Sequence, residues 1–159
     1  MNIKISCVGK LKEAYYEAVC AEFAKRLSRY CTLRVCEVAD EKAPETLSAA
    51  QQAQLLDKEG QRLLATLDEK DWAIALVLGP KSPTSEVFAA RLAQLEEQGQ
   101  NRLAFVIGGS LGLSPAVLAR CRETLSLSSL TFPHRFARLL LLEQLYRAQK
   151  IQRGEPYHK

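Results

Sequence analysis

The sequence predicts an α/β fold built on one parallel or mixed sheet, and three observations carry that expectation. β-rich runs alternate along the chain with amphipathic stretches, the order that lays helices over a sheet. Trp72 to Leu78 is apolar without alternation, as a strand covered on both faces must be. Two such runs end directly in glycine, at Gly79-Pro80 and at Gly108-Gly109, where a chain of this class presents bare backbone to a ligand at a strand's carboxyl end. With 159 residues, 47% of them hydrophobic and 25% charged, the chain is sized for one domain around one core. Periodicity alone leads to an open, doubly wound sheet.

Ile3, Ile5 and Cys7 alternate with Asn2, Lys4 and Ser6, the period of a strand with one covered face that ends at Val8-Gly9. Leu11, Tyr15, Ala18, Val19, Phe23, Leu27 and Tyr30 then recur at three- and four-residue steps, an amphipathic helix whose polar face carries Lys12, Glu17, Lys25 and Arg29. Thr32 to Val38 reads as a second strand, and Ala39 to Leu47 lacks any period and reads as a mobile loop. Ser48 and Gln51 match a capping box, opening a helix that Leu55, Leu56, Leu63, Leu64 and Leu67 carry to about Asp68. Beyond the central strand, Ser82 to Ser85 supply turn and cap residues for a helix with Phe88, Leu92 and Leu95 on one face, ended by Gly99. Leu103 to Ile107 is the next strand. Gly108, Gly109 and Gly112 follow it, and Ser114-Pro115 gives an N-cap and a first helical residue for a helix closing near Glu123. Leu125, Leu127 and Leu130 alternate imperfectly with serines. Thr131-Phe132-Pro133-His134 breaks that pattern before a helix carrying Phe136, Leu140, Leu141, Leu145 and Ala148 to about Gln149, and Lys150 to Lys159 is a polar tail.

The net charge of +4 is not spread evenly. Residues 1–132 carry 16 basic and 16 acidic side chains, whereas Arg135, Arg138, Arg147, Lys150, Arg153 and Lys159 face only Glu143 and Glu155 in the final segment, which also holds His134 and His158. A basic terminal segment fits a polyanionic partner, and a solvated helix face accounts for the charge equally well. No run has the length of a membrane span and the first residues lack a signal peptide's apolar stretch, so the expected location is the cytoplasm, away from membranes. The five cysteines, Cys7, Cys20, Cys31, Cys36 and Cys121, are odd in number and scattered. That spacing reads as reduced core residues and argues against a zinc site.

Gly108-Gly109-Ser110-Leu111-Gly112 fits the pattern of a hydrolase nucleophile elbow, with Glu143 and His158 following in the matching order. An elbow places its serine at the strand-to-helix turn itself, whereas Ser114-Pro115 starts the helix about four residues later, so Ser110 is not the expected nucleophile. A dinucleotide fingerprint fails too, because the glycines are spaced Gly-Gly-x-x-Gly and fall late in the chain. His134, beside Pro133 at a helix start, reads as a capping or supporting residue. His158, next to Tyr157 in a basic tail, is free to reach a charged ligand or a neighbouring subunit, and a frayed end is the competing reading.

Seven separate blocks nevertheless resemble one family: Val8 to Glu13, Asp40 to Pro44, Lys58-Glu59-Gly60, Phe105 to Gly112, Leu130 to His134, Leu142 to Ala148 and Arg153 to Lys159. Across essentially all 159 residues the chain is similar to SPOUT-class methyltransferases, and closely to the bacterial family that methylates a pseudouridine of large-subunit ribosomal RNA. The resemblance implies a single SPOUT methyltransferase domain over 1–159, with a C-terminal deep trefoil knot and cofactor site at about 72–149 and a tail at 150–159. It implies S-adenosylmethionine (SAM) as methyl donor with no metal, held by Leu76, Gly108, Leu127, Ser128, Ser129, Leu130, Thr131 and Phe132. The implied reaction is methyl transfer to N3 of a pseudouridine in 23S rRNA within assembled ribosomes, by a homodimer in which one subunit's tail completes the other's site.

Arg147, Tyr157 and His158 are the candidate catalytic residues under that resemblance. Arg147 would steady charge on the pyrimidine carbonyls, His158 would take the N3 proton, and Tyr157 would orient or stack on the base. Two positions depart from the family pattern: Arg135, which would add a phosphate contact, and Gly79-Pro80-Lys81 in place of a Gly-Lys pair. The rival class is a non-enzymatic ribosome-associated module that keeps the fold.

Overall fold

A computed structural model of the chain describes residues 1–157. Its strands are β1 (Asn2–Val8), β2 (Thr32–Val38), β3 (Trp72–Leu76), β4 (Arg102–Ile107) and β5 (Glu123–Leu125), and its helices are α1 (Ala14–Leu27), α2 (Ala49–Leu64), α3 (Ser85–Glu97), α4 (Pro115–Arg120) and α5 (His134–Gln152). The strands form one sheet in the order β2-β1-β4-β3-β5, and every pairing is parallel. All five carboxyl ends therefore open on one rim, where Gly9, Leu78 and Gly108 leave the sheet.

Register divides the side chains between the two faces. Ile3, Ile5 and Cys7 of β1 lie beside Leu103, Phe105 and Ile107 of β4, and this row packs under Leu27 of α1, Leu92 and Leu95 of α3, and Leu141, Leu142 and Leu145 of α5. Val8 and Val106 point the other way and meet Leu63 of α2 and Val117 of α4. Burying a leucine of this kind contributes about 1.5–3 kcal/mol, so the three-helix face carries most of the apolar stabilisation.

The alternation in β1 predicted one covered face, and the structure corrects this: both faces are buried. Ser6 is fully buried, with the Thr66 hydroxyl donating to it at 2.7 Å. Lys4 is 9% exposed and donates to Asp71 at 2.6 Å, to Asp68 at 3.0 Å and to the Thr66 carbonyl at 2.8 Å. A buried ammonium is tolerable because every proton finds an oxygen, and a period-two count cannot foresee that arrangement.

Helix ends follow their predicted chemistry more closely. Ser48 accepts from the Gln51 amide at 3.2 Å while Gln51 accepts from the Ser48 amide at 2.9 Å, a complete capping box. Ser114 accepts from the Val117 amide and Pro115 opens α4. That helix closes at Arg120, three residues before the expected end, because Glu123 to Leu125 pair with Ile74 to Leu76 as an edge strand too short to carry a period. At the other end of the chain, α5 runs to Gln152, past the expected Gln149.

Candidate functional site

A cleft of about 570 Å³ opens at the carboxyl ends of β3, β4 and β5. Leu76 to Leu78 form one wall, Gly108 to Leu113 a second, and the segment after β5, through Leu127, Ser128, Leu130, Thr131 and Phe132, a third. The first turn of α5 adds His134 and Ala137. Seven of the eight positions expected to hold a methyl donor thus line one cavity; the eighth, Ser129, lies between two of them and outside the lining. Ser110 sits in a loop four residues before the α4 cap, on the cleft's rim.

The glycine loop holds its shape through a pinched turn. A Cβ at Gly108 would stand 2.3 Å from the Gly112 carbonyl oxygen, so no side chain fits there. Gly112 has φ +85°, a left-handed value that glycine adopts without strain. Gly109 and Gly112 form an antiparallel bridge, their backbone bond 3.1 Å long. Beneath the loop lies Glu59, buried at 4% exposure. Its Oε1 accepts from the Glu41 amide at 3.0 Å, and its carboxylate lies against Gly109. Burial pushes the Glu59 carboxyl above its ordinary range against the opposing hydrogen bond from the Glu41 amide, and the Asp40 and Glu41 charges add to the rise. Glu59 stood in the Lys58-Glu59-Gly60 block of the family resemblance, but its place beneath the loop was not foreseen, since a buried acid inside an amphipathic helix leaves no periodic signal.

His134 does not cap α5, where Pro133 holds the cap position without a side-chain bond. Its ring instead leans over Gly9, with Nε2 3.3 Å from where a Cβ would sit, and Gly9 has φ +82°. Burial lowers the His134 pKa, helped by Arg135 and Arg138, so the ring favours its neutral form beside the cleft. Arg138 is almost wholly buried, donating to the Gly9 carbonyl at 2.9 Å and pairing with Glu37 at 2.5 Å. Arg135, expected to contact phosphate, pairs with Glu13 at 2.5 Å.

The candidate catalytic residues gather elsewhere. Arg147 pairs with Glu143 one turn earlier, through Nε at 3.1 Å and Nη2 at 2.7 Å. Tyr157 donates its hydroxyl to the same Glu143 oxygen at 3.0 Å, its ring stands edge-on to Tyr146 at 4.9 Å, and the Arg147 guanidinium lies 4.8 Å above it. Burial and the bond to Glu143 raise the Tyr157 pKa, so the phenol remains a proton donor. His158 lies outside the described residues. Glu143 is thus the organising residue of this cluster; its i,i+4 spacing from Arg147 was the signal that could have found it. Neither Arg147 nor Tyr157 lines the cleft, and the ten-residue step along α5 from Ala137 to Arg147 amounts to roughly 15 Å of helix.

The family model described as "Predicted SPOUT methyltransferase" matches residues 1–158. Proteins named Ribosomal RNA large subunit methyltransferase H are 52% identical in Lacticaseibacillus casei and 54% identical in Listeria monocytogenes, each over the whole of both chains. The chain belongs to the SPOUT methyltransferase family, in its ribosomal RNA large subunit methyltransferase H group. The fold agrees: the crystal structure of a methylase-family protein from Neisseria gonorrhoeae superposes with a TM-score of 0.53 at 15% identity, covering 99% of this chain and 86% of that one. The glycine-rich strand ends thus form one cleft, and the Arg147–Glu143–Tyr157 cluster, built from α5 and the tail after it, is a second, separate group.

Proposed function

We propose that this SPOUT methyltransferase transfers a methyl group from SAM to N3 of a pseudouridine in large-subunit rRNA of assembled ribosomes, in the cytoplasm. The cleft carries the reading: Leu76, Gly108, Leu127, Ser128, Leu130, Thr131 and Phe132 surround one mostly apolar volume rimmed by backbone at three strand ends. That composition suits an adenosyl group, whose flat apolar ring needs leucine walls and whose edge needs backbone donors and acceptors. The relatives named as large-subunit rRNA methyltransferases support the substrate class, and threading of residues 72–149 as a trefoil knot belongs to the same reading.

SAM, when bound, supplies a methyl already activated on a sulfonium, so the protein has to align the nucleophile and assist loss of the N3 proton. Arg147, held charged by Glu143, steadies negative charge on the pyrimidine oxygens. Tyr157 orients or stacks on the base, and His158 accepts the proton. The roughly 15 Å of helix separating Arg147 from the cleft of its own chain supports a homodimer whose partner tail completes each site.

Two measurements test this. Calorimetry is expected to show SAM binding with Kd on the order of micromolar; no binding together with retained ribosome association would leave a non-enzymatic module instead. Single-turnover methylation of ribosomes is expected to fall at least about a hundredfold in Arg147→Ala and in His158→Ala, the scale of one lost acid–base or charge-stabilising group. Rates within a few-fold of wild type in both would remove these residues from the chemistry.

A further inference from the structure

The tail does not leave α5 as a frayed end. It turns back through a Schellman motif, in which the Glu155 amide donates to the Lys150 carbonyl at 3.0 Å and the Gly154 amide to the Ile151 carbonyl at 3.1 Å, with Gly154 at φ +62°. Such a motif usually joins its second outer residue to the last helical turn by an apolar contact. Here the two positions are Glu155 and Lys150, and their contact is an ion pair of 2.6 Å. The Tyr30 hydroxyl, from the turn after α1 and 125 residues distant in sequence, donates to the same Glu155 oxygen at 2.7 Å. The Arg153 guanidinium covers the Tyr30 ring at 4.7 Å, and the Tyr30 and Tyr146 rings lie 6.1 Å apart. Pro156 follows, and Tyr157 lands on Tyr146 and Glu143.

We infer that Tyr30 and Glu155 form a latch that positions the tail, acting through Tyr157 on the methylation step. This rests on the proposal that Tyr157 works on the RNA base. Stability is a poor explanation for the latch, because the Glu155 side chain is 36% exposed and an ion pair open to solvent adds little to folding. What the three-way contact does fix is direction. Without it the Schellman turn still forms, but the two residues beyond it lose their anchor on the turn after α1, and the phenol of Tyr157 loses its aim.

The test is a double-mutant cycle on single-turnover methylation of ribosomes from a strain lacking the enzyme. Tyr30→Phe removes the hydroxyl and keeps the ring; Glu155→Gln removes the charge and keeps the shape. Each is expected to slow methylation roughly tenfold, the scale of one charge-assisted hydrogen bond, while the SAM Kd and Tm stay at wild-type values. In a Tyr157→Ala background neither is expected to slow it further. Full rates in both latch variants, or a further loss in the Tyr157→Ala background, would overturn the latch. A wild-type rate in Tyr157→Ala alone would overturn the parent reading of the tail and the latch with it. Should Tyr30→Phe fail to fold, the half-exposed Glu155→Gln decides the matter.

Discussion

At the scale of single residues, Gly108 and Asp71 mark the two demands on this chain. Gly108→Ala places a methyl group 2.3 Å from the Gly112 carbonyl, and neither backbone segment has a flexible end to move. The loop must open, so the SAM Kd is expected to weaken at least about tenfold by calorimetry, with the far-ultraviolet spectrum unchanged. Asp71 lies at the opposite rim, 3% exposed, and pairs with Lys4 and Arg102. Asp71→Asn leaves the buried Lys4 ammonium with Asp68 as its nearest acid, and denaturant unfolding is expected to report a loss near the lower end of roughly 3–5 kcal/mol. Although burial opposes it, hydrogen bonds from Lys4, the Asp68 amide and Arg102 hold the Asp71 carboxyl below its ordinary value, and Lys4 holds Asp68 low as well. The sign follows: their stabilisation is present above the unfolded carboxylate value of about 3.9 and fades as pH falls through the lower folded values. A stability profile between pH 5 and 2 is therefore expected to be flatter in Asp71→Asn. Lys4 and Asp71 were invisible in the sequence because each looks like an ordinary surface charge; only the pairing of β1 and β3 on either side of β4 brings them together.

At the scale of elements, legibility tracked length and end chemistry. The box of Ser48 and Gln51, the Ser114-Pro115 start and the apolar run of β3 were all readable, because caps and long apolar runs act locally. The three residues of β5 were not, since their only reason to be a strand is the pairing of Ile74 to Leu76 opposite them. The tail was half readable: its polarity hid the way Glu155 and Tyr157 use polar contacts to dock. Ser48→Ala removes one side of an exposed capping box, and α2 is expected to lose about 1 kcal/mol, a fall of roughly 2–4 °C in Tm by calorimetric scan. An unchanged Tm would mean that packing of Leu55 and Leu63 alone sets the start of α2.

At the scale of the whole molecule, five parallel strands bring the ends of β3, β4 and β5 together around one cleft, and α5 carries a basic, aromatic cluster away from it. The alternation of elements revealed the sheet, while the cleft's exact membership depended on strand order, which no single stretch records. The separation of cleft and cluster is the reason a dimer is proposed. At SAM concentrations well below the Gly108→Ala Kd, where each variant alone is strongly impaired, mixing Gly108→Ala subunits with Arg147→Ala subunits is expected to restore up to about a quarter of wild-type methylation, the share of sites in a random two-subunit mixture that draw an intact cleft and an intact cluster from different subunits; no recovery would place both in one chain. The most direct test of the central claim is mass spectrometry of large-subunit rRNA from a strain lacking the gene. One pseudouridine is expected to lose one methyl group, regained with the wild-type gene and not with Gly108→Ala. An rRNA methylation pattern identical to the parent strain's would contradict the assignment.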